Sequence, residues 1–206
     1  MDNAKNFKTK NIILRVIAFI LYFLTAGFMG KLCVVLAEPL FSFALSGYPG
    51  FKNMILHAIS LAAVFTAVSV FSQREGYNDT ELLRFNFMRA VLSYIIAGAV
   101  FFGIALSAFF ISSAAFITPL TEYFLTPYFL PDGINDIISD LVFFSGIPVL
   151  YNIFEVIKYI FSAEWISLIF SVCACVIFSM VFYKTGRKKW IEAQKKKIEQ
   201  ARLAGK

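Results

Sequence analysis

Between Ala90 and Ile117 the chain runs 28 residues without a charged side chain, and three further stretches are nearly as bare. A helix rising 1.5 Å per residue needs about 20 mainly apolar residues to cross a hydrocarbon core about 30 Å thick. Four segments meet that length: Ile12 to Leu36, Met54 to Ser72, Ala90 to Ile117 and Trp165 to Tyr183. With 59% hydrophobic and 16% charged residues and a mean hydropathy of +0.74, a soluble fold could not hide the apolar surface. The expected fold class is therefore an all-α integral membrane protein, a four-transmembrane-helix bundle. Residues 1–183 form the membrane domain and residues 184–206 a basic helical tail.

The first segment follows Lys5, Lys8 and Lys10 and so has the flank of a signal peptide. Its apolar run exceeds the 7–15 residues of a secretory core and no small-residue cleavage site follows, which favours an uncleaved anchor. Orientation follows from the bias of Lys and Arg toward the cytoplasmic side. Four crossings place 16 of the 19 basic residues on one side: those before Val16, those between Gln73 and Arg89, and nine from Lys184 onward. Both termini are thus expected in the cytoplasm, and the membrane is expected to be the cell membrane. The other side gains Glu122, Asp132, Asp136, Asp140, Glu155 and Glu164. Counting Leu141 to Phe161 as a fifth crossing destroys this separation.

The connection from Thr118 to Glu164 is too apolar for a solvated loop. It opens on a proline-bearing aromatic stretch, where proline favours extended or turn geometry. An apolar segment over 136–161 follows, interrupted at Ser145, Gly146 and Pro148. Its two halves each reach about half to two-thirds of a bilayer. Two readings stand open: a re-entrant hairpin with its tip at Ser145, Gly146 and Pro148, or a broken helix pair lying on the outer interface. Glu38-Pro39-Leu40 and Thr118-Pro119-Leu120 also read as a faint internal repeat of the kind transporters carry.

Ionisable groups near apolar spans are functional candidates because lipid burial of charge is costly. Lys31 and Glu38, seven apart, share a helical face, and His57 lies one turn into the second span from the same side. With Asp136, Asp140, Asn152, Glu155 and Lys158 they make up a candidate outward-facing polar pocket. The competing readings are a snorkelling lysine, a surface pair of Glu155 with Lys158, and a solvated stripe of aspartates.

Each span also carries small residues four apart, suited to close helix packing: Ala26 and Gly30; Ala58, Ala62 and Thr66; Ala99, Gly103 and Ser107; Ser171, Cys175 and Ser179. Cys33, Cys173 and Cys175 sit in apolar runs as small packing residues. Trp165, Tyr183 and Trp190 are placed as interfacial anchors.

No glycine-rich phosphate loop, zinc-type His/Cys spacing or serine-hydrolase elbow occurs in the sequence, so no catalytic residue, cofactor or metal is expected. The basic tail meets anionic lipid headgroups, worth about 1 kcal/mol per cation. That accounts for the net charge of +6 without nucleic acid, which is not expected as a partner. A homo-oligomer or a membrane-complex subunit is consistent with the pattern. The expected function is a small transporter, channel or non-catalytic membrane subunit. The alternatives are a membrane enzyme on a lipid-linked substrate, with His57, Glu38 or Asp140 as acid or base, and a structural interaction protein.

Overall fold

The computed structural model describes residues 2–110, 121–129 and 164–204. Four long helices dominate: α1, Asp2–Ala44; α2, Pro49–Glu81; α3, Phe87–Phe110; and α4, Glu164–Ala204. All four contain a stretch long and apolar enough to cross a membrane. No strand occurs among the described residues. The protein is a helical, multi-pass integral membrane protein.

Each helix except α3 outruns its apolar segment. The chain from Gln73 to Glu81 has no proline, so α2 continues through it. At 33 residues α2 is about 50 Å long. At its other end Pro49 occupies the first turn, where a missing N–H costs nothing. Pro39 lies inside α1, so the proline shared by the two resembling motifs does not break the first one into a loop. The apolar segment over 136–161, the tip at Ser145, Gly146 and Pro148, and the motif at Thr118 lie outside the described residues.

The turn from α2 to α3 is built from backbone hydrogen bonds. Leu83 N–H donates to Thr80 O and Arg84 N–H to Asp79 O, the pair of bonds that closes a Schellman cap. Such a cap needs a left-handed residue, here Leu83 at φ 55° rather than the usual glycine. Asn86 then caps α3, its Oδ1 accepting from Arg89 N–H at 3.0 Å.

The helices circle the bundle in the order α1, α2, α4, α3. Their core is aromatic: Phe19 stacks on Tyr94, Phe23 meets Phe101 edge-on, and Tyr94 meets Tyr183 edge-on. Glycines permit the closest approaches. A Cβ on Gly76 would collide with the Tyr183 carbonyl, and one on Gly186 with the Gln73 carbonyl. The N-terminal part of α1, the end of α2 and the middle of α4 meet where Arg15, Asp79 and Tyr183 touch, so both ends of the chain emerge at one end of the bundle. This is termed the basic end below, because Arg74, Arg84, Arg89, Lys184 and Arg187–Lys189 also lie there.

Two of the small-residue stripes face the interior as expected: Ala26 and Gly30 are buried, as are Cys175 and Ser179. The other two face outward. Ala58, Ala62 and Thr66 are exposed, as are Ala99, Gly103 and Ser107. The buried face of α2 instead runs Ser60, Val64, Val68 and Ser72, about half a turn away. All three cysteines are free thiols, with Cys175 buried in the core.

Candidate functional site

At the end opposite the basic one, α1, α2 and the short segment 121–129 enclose a polar pocket. That segment is a π-helical turn, Thr121–Leu125, followed by a 3-10 turn, Thr126–Tyr128. It reaches into the bundle: Leu125 and Tyr128 are fully buried, and the Tyr128 hydroxyl donates to Phe23 O at 2.6 Å. Phe101 meets the Tyr128 ring edge-on at 4.9 Å. Gly27 allows this entry, because a Cβ there would strike the Phe124 backbone. Irregular backbone at membrane depth survives only where protein or water shields it. The shield here is made by all four long helices, α1 above all.

The pocket holds about 250 Å³ and is lined by Lys31, Val34 and Glu38 of α1, Asn53, Leu56, His57 and Ser60 of α2, and Thr126 with Pro127. Three residues singled out from the sequence, Lys31, Glu38 and His57, therefore line one cavity. Asp136, Asp140, Asn152, Glu155 and Lys158 fall outside the described residues. Lys31 and His57 are half-buried, whereas Glu38 stands exposed at the rim. Ser60 lies deepest, 2% exposed, with its hydroxyl buried and lacking a hydrogen-bond partner among the described residues. Gly30 makes room for it: a Cβ there would sit 2.9 Å from Ser60 Oγ. Among the described residues no group of three or more His, Cys, Asp or Glu side chains is arranged to hold a metal.

Asn53, Ser60, Thr126 and Pro127 were not legible as pocket residues. Asn53 and Ser60 carry a usable signal. They lie four before and three after His57, on one helical face. Thr126 and Pro127 carry none, since only the tertiary entry of their segment brings them there.

A second polar cluster at the basic end was not expected. Arg15 Nη2 bonds Asp79 Oδ2 at 2.5 Å, and Arg15 Nε lies 3.3 Å from Glu75 Oε1. The Tyr183 hydroxyl donates to the same Asp79 oxygen at 2.5 Å. Tyr183 is thus no interfacial anchor: it is fully buried, with its hydroxyl consumed by the network. The three charged side chains are 82–89% buried, so the cluster joins α1, α2 and α4 through desolvated bonds. Its signal was the spacing of Glu75 and Asp79, four apart on one face, visible only once α2 is carried past Ser72, where its apolar segment ends.

The two clusters lie far apart. Arg15 and Lys31 are sixteen residues apart on α1, about 24 Å. Between them sits the aromatic core of Phe19, Phe23, Tyr94 and Phe101, all buried. The chain matches no family model, no curated protein and no solved structure, so its own residues classify it, as a multi-pass α-helical membrane protein.

Proposed function

We propose that the protein is a small membrane transporter, held here with its outer pocket open and its basic end closed. The observation that carries this reading is the asymmetry between the two ends. One end has an open polar cavity beside a segment of irregular backbone, and the other has three helices tied by Arg15, Glu75, Asp79 and Tyr183. Transporter sites are commonly built where broken helices bring polar backbone into the membrane. In this reading the basic end faces the cytoplasm, in keeping with the distribution of lysine and arginine.

The pocket's chemistry suits a small zwitterion. Lys31 offers a cation for an anionic group, Glu38 an anion for a cationic one, and His57 a titratable hydrogen-bonding group. Its 250 Å³ falls below the range of drug-sized sites, which favours a small solute. The test is flux into proteoliposomes for a panel of small zwitterions, anions and cations. The wild type should carry zwitterions, and a Lys31→Met, Glu38→Gln, His57→Ala variant should not. Equal flux in both proteins, or no flux of any panel member, would overturn the assignment.

A further inference from the structure

A lateral groove runs between α2 and α4 on the outer surface of the bundle. It is lined by Phe65, Thr66, Ser69, Val70 and Gln73 of α2 and by Phe178 and Phe182 of α4. Its volume is about 270 Å³. One end is aromatic: the Phe65 and Phe178 rings stack at 5.0 Å within 3° of parallel, and Phe182 continues the wall. The Thr66 hydroxyl turns back to the Ala62 carbonyl at 2.7 Å.

The other end is polar and positive. Gln73 Oε1 accepts from Lys189 Nζ at 2.9 Å. Arg74, exposed, follows Val70 by four residues and stands on the same face of α2. Neighbouring cations are already engaged elsewhere: Lys184 lies over the Phe87 ring and Arg187 over the Phe85 ring.

From Phe65 to Gln73 is eight residues, about 12 Å along the helix. Half of a hydrocarbon core about 30 Å thick is about 15 Å. The groove therefore spans one leaflet, aromatic near the bilayer midplane and cationic at headgroup level. We infer that it is a binding site for one anionic phospholipid of the leaflet at the basic end. An acyl chain lies along Phe65, Val70, Phe178 and Phe182, and the phosphate lies between Arg74 and Lys189. A zwitterionic lipid would fill the groove equally well but place an extra cation beside these two.

The test is native mass spectrometry of the full chain with phosphatidylglycerol and phosphatidylcholine of identical chains. The wild type should retain phosphatidylglycerol with about tenfold preference, as two headgroup-level cations allow. Val70→Trp, at an exposed position where folding is not at stake, should block the groove and reduce retention of both lipids. Arg74→Glu with Lys189→Glu should abolish the preference while leaving phosphatidylcholine retention unchanged. Neutralising Lys195, Lys196 and Lys197 should change nothing. Equal retention of the two lipids by the wild type, wild-type retention by Val70→Trp, or loss of preference on neutralising the distal lysines would each overturn the assignment.

Discussion

Removing Asp79 should destabilise the bundle more than any other single substitution at its basic end. Its carboxylate accepts from both Arg15 and Tyr183. In Asp79→Ala, Arg15 keeps only the 3.3 Å contact with Glu75, and the buried Tyr183 hydroxyl loses its acceptor. Stranding one partner of a buried ion pair costs about 3–5 kcal/mol, and an orphaned hydroxyl accounts for about 1–3 kcal/mol within or beyond that. A loss of about 4 kcal/mol is expected. Arg15→Ala should cost about 3 kcal/mol, because it leaves two carboxylates four residues apart without their cation. The informative variant is the double one. With both gone Arg15 is no longer there to be stranded and only Glu75 lacks its cation, so the cost should be about 4 kcal/mol rather than the sum of about 7. The implied coupling of about 3 kcal/mol is readable from unfolding titrations of all four proteins in mixed micelles. Additive losses to within about 0.5 kcal/mol would show that Arg15 and Asp79 do not form the bond described, and with it the closed basic end would fall.

Leu83→Gly should stabilise the protein by about 1 kcal/mol, since glycine occupies the left-handed cap position without steric cost; an unchanged or lower unfolding midpoint would contradict the Schellman geometry. Gly186→Ala places a methyl against the Gln73 carbonyl and should cost about 1–3 kcal/mol, whereas Gly103→Ala meets open space and should be silent or slightly stabilising. The two variants differ by one methyl each, so similar unfolding midpoints would argue against the α2–α4 contact. Reporter fusions at Lys206 and near Asn78 should both report cytoplasm; an exterior Lys206 alone would make Leu141 to Phe161 a fifth crossing, and two exterior reporters would invert the proposed orientation.

The four long helices among the described residues were readable because an apolar run of 19 to 28 residues with at most two charges has one physical solution in lipid, a hydrogen-bonded helix. Which face of each helix points inward was not. In a soluble helix, polarity marks the outside; in lipid both faces are apolar, so hydropathy carries no such mark. The choice between Ala58–Ala62–Thr66 and Ser60–Val64–Val68–Ser72 on α2 rests instead on packing. Phe19, Tyr94 and Phe101 fill the interior, and the face that complements them turns in. For the same reason only two of four small-residue stripes were placed correctly. Lys31, Glu38 and His57 were legible as a group because helical spacing and distance from one end of a span are simple functions of sequence. The wall supplied by Thr126 and Pro127 was not, because it depends on Gly27 admitting a distant segment.

The unbroken course of α4 has a mechanical consequence. From Tyr183 to Ala204 the helix projects about 32 Å, and every residue from Lys195 to Leu203 is exposed. The base of this rod is fixed to α2 by the Tyr183 bond to Asp79 and by the close packing of Gly186. A tilt of about 10° at that attachment would sweep the tip through about 5 Å, a simple lever estimate from the helix rise. If the protein transports as proposed, the tail is a pointer geared to that end of the bundle. Distances between spin labels at Ala204 and Leu83 should shift by several ångströms when Asp79→Ala releases the attachment, and an unchanged distance would mean that the tail and that end of the bundle are not geared together.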